Sequence, residues 1–281
     1  METSKEEQLW QAATAGNLDC VRELAEDPGV DVNWADKEMK RTPLYRASGH
    51  NWPAIVEYLL RNPRTLVNQQ MAEGASPFFI ACQGGWKDIV ILLLADPRVD
   101  VELPDDHNSS PLWMAACYGQ LLIVQLLLAS GRHLNPNSVS TFNDMTPAQS
   151  ARWAVRQPEW GMVGDSPANR RAYGAVIGDL LDEFDRNPVQ VRLRLRRLPG
   201  VREPFIGRAF ALIVFLTDGF LRIRGDSHDG FSLEERFFDI SSKLPLELQM
   251  VLCNRMFGSP NDIILVRDSE PGFRWLSRSS T

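Results

Sequence analysis

The chain has 281 residues, 44% apolar and 23% charged, so it can bury a large core and is too apolar for wholesale disorder. A formal charge of −6 gives no global attraction to nucleic-acid phosphates or anionic lipid. The longest apolar run, Ala209 to Leu216, falls far below the roughly 18 residues of a membrane helix, and the first twenty residues, with Glu2, Glu6 and Glu7, have no apolar core that would suit a secretory signal. A soluble intracellular protein, cytoplasmic or nuclear, is expected.

From the N-terminus, the sequence repeats. A degenerate copy EQLWQAA starts at Glu7, and TPLYRAS at Thr42, SPFFIAC at Ser76, SPLWMAA at Ser110 and TPAQSAR at Thr146 follow at intervals of 34, 34 and 36 residues. A hydroxyl before proline opens a helix: the hydroxyl caps first-turn amides, and Pro lacks the donor that would be wasted there. Fourteen residues after the hydroxyls of Thr42, Ser76 and Ser110 come Val56, Val90 and Val124, each followed by a Leu pair at helical spacing, Leu59/Leu60, Leu93/Leu94 and Leu127/Leu128. Val21 and Leu24 fill this place in the first unit. A second helix therefore follows after a short turn marked by Gly16, Gly85 and Gly119. The links DPGVDVN, NPRTLVN and DPRVDVE stop that helix at Asp or Asn before Pro and continue as short β-prone tails.

This unit resembles the ankyrin repeat, with its TPLH-type helix start, V-x-x-LL second helix and hairpin finger, over residues 6–186 in about five units. The family's histidine is replaced by Tyr45, Phe79 and Trp113, so its hydrogen bond to the finger is expected to be missing. In the last unit Ile177, Leu180 and Leu181 stand 31 residues after Thr146, leaving 17 extra residues in an insertion at 155–171. That insertion reads as a surface loop, or else as a place where Trp153 and Trp160 form an exposed aromatic anchor.

The resemblance implies an all-α ankyrin-repeat solenoid that binds a protein or peptide, as a monomer, through its concave groove. In that architecture the fingertips and first-helix ends fall on Glu38, Met39, Arg41 and His50, then Glu73 and Gln83. They continue through Asp106, His107 and Tyr118 to Phe142, Asn143 and Trp153.

The second half, 187–281, reads as a small helical capping domain. Asn187 and Pro188 open a helix with Val191, Leu195 and Leu198 on one face, crowded by Arg192, Arg194, Arg196, Arg197 and Arg202 in what reads as a solvated face. Phe205 to Ile223 reads as a central buried helix, Gly225 to Gly230 as a polar connection, and Ser232 with Glu235 as a capping box before Phe237, Phe238 and Ile240. Leu248, Val251, Leu252 and Met256 share one face of a helix entered at Pro245, and two short elements follow around Asp262 to Val266 and Glu270 to Leu276. This tail weakly resembles an F-box, which implies a ubiquitin-ligase scaffold docking on Leu244, Pro245, Leu248 and Val251. An array cap and a recruitment surface are competing uses of the same residues.

Cys20, Cys82, Cys117 and Cys253 read as reduced core thiols, and the histidines lack ligand spacing, so no cofactor and no metal are expected. Phosphate loops, nucleophile elbows and dinucleotide fingerprints are missing, which argues against an enzyme. A protein-binding module is the first reading, a ligase adaptor the second, and an unfamiliar catalytic site in the C-terminal bundle the third.

Overall fold

The four Thr-Pro or Ser-Pro pairs of the repeat, at Thr42, Ser76, Ser110 and Thr146, each open a helix in the computed structural model, which describes residues 3–157, 167–217, 241, 243–257 and 264. The hydroxyls of Thr42, Ser76 and Ser110 each accept the amide three residues on at 3.1 Å, and Thr146 forms a reciprocal capping box with Gln149. The chain divides into two units, Met1–Arg192 and Leu193–Thr281.

Five helix pairs build the first unit. They are α1 (Lys5–Ala15) with α2 (Leu18–Glu26), α3 (Pro43–Gly49) with α4 (Pro53–Arg61), and α5 (Pro77–Gly84) with α6 (Lys87–Ala95). Next come α7 (Pro111–Cys117) with α8 (Leu121–Ala129), then α9 (Pro147–Ala154) with α10 (Pro167–Arg186). First helices pack on first helices and second on second along the stack, so each pair buries its apolar face against its neighbours. Val21, Val56, Val90, Val124 and Ile177 are each wholly buried at equivalent places.

The first helix starts earlier than the Glu7 expected from the repeat. Ser4 caps it through the Glu7 amide at 3.2 Å, and Glu6 and Glu7 then sit in the first turn, where free amides favour acidic side chains. The inter-helix turns use left-handed Gly16, Gly85 and Gly119, and Asn51 takes that conformation in the second pair with φ 59°. At Gly119 a Cβ would lie 2.7 Å from the backbone nitrogen of Arg170, so glycine is also what lets α10 approach the α7–α8 turn.

Three ladders of side chain to backbone bonds tie successive pairs together. Trp52 donates to the Thr14 carbonyl at 3.1 Å, Trp86 to Gly49 at 3.2 Å and Gln120 to Gln83 at 3.1 Å. Arg64, Arg98 and Arg132 reach back to carbonyls around the preceding pair's C-terminal end: Arg64 to Ala25 at 2.7 Å, Arg98 to Leu60 at 2.8 Å, and Arg132 to Val99. Asn33 and Asn68 each donate to one carbonyl of the next link and accept one of its amides.

The links carry no regular strand among the described residues, where hairpin fingers with β-prone tails were expected. One isolated bridge joins Ser140 and Met145, and the other turns close through backbone bonds, the Asp36 amide to Arg41 at 3.2 Å, Met71 to Ala75 at 3.0 Å and Asp105 to Ser109 at 3.1 Å. Residues 167–171 of the insertion are helical, as the first turn of α10. In α10, a Cβ at Gly174 would fall 2.5 Å from the Ala151 carbonyl oxygen, so that helix lies directly on α9. Trp160 and the rest of 158–166 lie outside the described residues.

Asn187 accepts the Gln190 amide at 3.4 Å at the start of α11 (Pro188–Leu195), which buries Val191 and Leu195 but ends before the expected Leu198. The arginines of this segment find aromatic faces on neighbouring elements: Arg192 lies 5.4 Å from the Phe184 ring centre and Arg196 lies 4.9 Å from that of Phe205. In the second unit, α12 (Glu203–Thr217) and α13 (Leu246–Met256) pack around Ile206, Phe210, Ile213, Cys253 and Ile264.

The buried face of α13 is not the one read from the sequence. Cys253 is enclosed, with Met250 and Phe257 packed beside it, while Leu248 is 52% and Met256 42% exposed. Apolar residues occupy almost every side of this helix, so spacing alone does not choose a face. The polar connection at Gly225 to Gly230, the Ser232 capping box with Phe237, Phe238 and Ile240, the segment around Asp262 to Val266 apart from Ile264, and Glu270 to Leu276 lie outside the described residues.

Candidate functional site

The fingers between helix pairs are shaped by their own polar side chains, acidic in the first and third, Gln70 in the second and Asn143 with Ser140 in the fourth. The Asp36 carboxylate accepts the amides of Met39 at 2.7 Å and Arg41 at 3.1 Å and pairs with the Arg41 guanidinium at 3.0 Å. Burial pushes this carboxyl up, but the Met39 amide and Arg41 outweigh it and hold it below the usual range. Asp105 accepts the amides of His107 and Ser109 in the same manner, at 3.0 and 2.7 Å. Lys40, Gly74, Asn108 and Asp144 provide the left-handed residue of successive fingers. Adjacent fingers bond directly: the Ala72 amide to Met39 at 2.8 Å, Asp106 to Glu73 at 3.2 Å and Thr141 to His107 at 2.8 Å.

Below the second to fourth of these fingers, the ends of α3, α5 and α7 line a pocket of about 180 Å³. Five rings form its walls: Tyr45, Phe79, Trp113, Tyr118 and Phe142. Phe142 meets Trp113 edge-on at 6.3 Å and His107 at 6.1 Å, closing one side. Met71 and Met114 supply adaptable apolar surface, and Glu73 and Asp105 are the carboxylates that line the pocket. Burial pushes the Tyr45 hydroxyl up to about 12, with the Arg41 and Arg46 charges opposing the rise and the Glu73 charge adding to it.

A second, more open depression of about 480 Å³ lies beside the last finger, lined by Asn143, Gln149, Arg152, Trp153 and Arg156 among others. Arg152 is engaged there by Asp179 and Asp182, each at 2.7 Å.

Of the residues expected at the groove, Glu73, Gln83, His107, Tyr118 and Phe142 meet in the first pocket, and Asn143 and Trp153 in the second. Tyr118 and Gln83 reach it only by an edge, being 2% and 7% exposed. Glu38, Met39, Arg41, His50 and Asp106 line neither depression. Arg41 is taken up by its own finger, and His50 bonds the Arg46 carbonyl through Nδ1 at 2.9 Å.

The expectation that replacing the family's histidine removes its bond to the finger is overturned at Trp113, and Trp10 in the first unit makes the same kind of bond. Trp113 Nε1 donates to the Met145 carbonyl at 3.0 Å, and Trp10 at the equivalent place donates to Arg41 at 2.7 Å. The indole N–H is a donor on a longer lever, so ring and bond are both kept. Sequence reasoning treated Tyr45, Phe79 and Trp113 as packing and overlooked Met71 and Met114. The signal was present, since Ile80 and Met114 each follow a ring at the same repeat position.

Stacked helix pairs joined by interlocked fingers define a repeat solenoid of the ankyrin type. A family model described as ankyrin repeats (3 copies) matches residues 2–70 and again 54–138, so the N-terminal region of this chain is an array of ankyrin repeats. Such repeats are generally protein–protein interaction modules and are typically not catalytic. No curated protein matches the chain. Among the described residues no helix is long and apolar enough to cross a membrane.

Proposed function

We propose that this chain is a non-enzymatic protein-binding module that holds a protein or peptide in the groove between its fingers and the ends of α3, α5, α7 and α9. One observation carries this reading: five aromatic rings and two methionines converge on a single pocket beneath neighbouring fingers. Aromatic and methionine side chains are what binding surfaces concentrate, and a few such anchors dominate affinity. A volume of about 180 Å³ is below the ~300–1,000 Å³ of small-molecule sites and suits one inserted side chain. Four free thiols favour a reducing compartment, the cytoplasm or nucleus, and the chain is taken to act as a monomer.

The test is a comparison of partners captured by the wild type and by Phe142→Ala with Trp153→Ala. Phe142 is 47% exposed, and Trp153 is half-buried against the cluster of Trp113, Cys117, Tyr118 and Ala154, so the melt of the variant is measured beside its binding. Loss of captured partners with an unchanged melt supports the groove. Retained partners, with affinity within about twofold or ~0.4 kcal/mol, place the site elsewhere.

A second reading treats 187–281 as more than a cap. Leu248 is half-exposed and Pro245 exposed on α13, beside the less exposed Leu244 and Val251, as docking of a ubiquitin-ligase scaffold would require. Truncation after Pro204 separates the uses. A cap predicts an aggregation-prone array, and a recruitment surface predicts an unchanged array that loses only ligase association.

A further inference from the structure

We propose that the aromatic pocket receives a cationic side chain, an arginine presented by a segment of the partner protein. This rests on the groove reading and names what enters it. Glu73 and Asp105 line the pocket, and no lysine or arginine does. Neither carboxylate is used up by the fold. Asp105 spends Oδ1 on the amides of His107 and Ser109, and no ion pair engages either residue among those described. Glu73 is exposed at its fingertip, where only its backbone carbonyl bonds the next finger.

The walls favour the same occupant. Ring faces attract cations, and a guanidinium is planar, weakly hydrated and able to stack on them while its fork reaches carboxylates. Its alkyl stem suits the apolar surface of Met71, Phe79 and Met114. A purely apolar anchor would leave two carboxylates facing its flank with no compensating charge.

The full chain is titrated with three acetylated, amidated peptides of sequence Gly-Ser-Ser-X-Ser-Ser-Gly, in which X is arginine, its neutral isostere citrulline, or norleucine. Binding is read from the indole N–H resonance of Trp113, assigned with Trp113→Phe. The arginine peptide is expected to bind at least tenfold more tightly than citrulline, about 1.4 kcal/mol, with a preference that shrinks as salt is raised. Glu73→Gln should reduce that preference without moving the melting temperature. Equal binding of arginine and citrulline overturns the proposal. Tighter binding of norleucine also overturns it but leaves the groove standing. If none of the three peptides saturates, the proposal falls, and the groove reading is decided separately by the partners captured with Phe142→Ala and Trp153→Ala.

Discussion

Trp113 Nε1 donates to the Met145 carbonyl at 3.0 Å, so a wholly buried indole pins the fourth helix pair's first helix to the finger that precedes the fifth. The same ring is a wall of the pocket. Trp113→Phe keeps most of the ring and removes the donor, leaving the Met145 carbonyl only the Ser140 amide at 3.2 Å of its two partners. A loss of about 1–2 kcal/mol is expected in urea unfolding with an unchanged m-value. Trp113→Ala adds a cavity and should cost about 3–5 kcal/mol. Equal stability of Trp113→Phe and wild type would show that the bond contributes nothing.

Arg64, Arg98 and Arg132 recur at 34-residue intervals, yet they are not equivalent. Arg98 bonds the Leu60 carbonyl and also pairs at 2.7 Å with Asp96, whose side chain is 0% exposed. At the corresponding place before Arg64 stands neutral Asn62. Replacing Arg98 removes the countercharge of a buried carboxylate that keeps neutral partners such as the Arg98 amide at 3.0 Å, whereas Arg64 bonds only carbonyls near solvent. Arg98→Met is therefore expected to destabilise by about 2–4 kcal/mol and Arg64→Met by about 1 kcal/mol. Equal losses in paired thermal melts would remove Asp96 from the explanation.

Much of the array was legible because its signals are local. Thr42, Ser76, Ser110 and Thr146 cap the helices they precede, and Val56, Val90 and Val124 are buried as their spacing demands. The arginine ladder was as periodic as these, but its acceptors are backbone carbonyls one unit back, which leave no trace in side-chain pattern. The pocket was half-visible for a similar reason: Glu73, His107 and Phe142 were expected at the groove, while Tyr45, Phe79 and Trp113 read as packing because buried rings and ligand-facing rings look alike in sequence. On α13 the wrong face was read because apolar residues surround the helix.

Val90 tests the solenoid itself. It is wholly buried on α6, which packs between α4 and α8. Val90→Asp puts an unpaired carboxylate into that interface and is expected to cost several kcal/mol, enough to abolish a cooperative melt of the array. A folded, cooperative transition for this variant, followed by far-ultraviolet circular dichroism, would contradict the stacking.

Glu102 departs from a rule the chain sets for itself. Asn33 and Asn68, at the two preceding equivalent positions, each donate to a link carbonyl and accept a link amide. Glu102 can only accept: Oε2 takes the Asn135 amide at 2.9 Å, while Oε1 is buried without a partner. Burial pushes its carboxyl above the usual range, with Asp100 adding to the rise and the Asn135 amide and His133 opposing it. A carboxyl whose folded value lies above its unfolded one costs stability when ionised, at higher pH, and returns it as pH falls. Glu102→Asn removes that cost and restores a donor. It should therefore stabilise the array at pH 7, by about 1 kcal/mol through the recovered bond. The advantage must narrow toward pH 4, where wild-type Glu102 becomes protonated and neutral. Melts of both proteins across that range decide the point, because an advantage independent of pH would mean that the charge of Glu102 carries no cost.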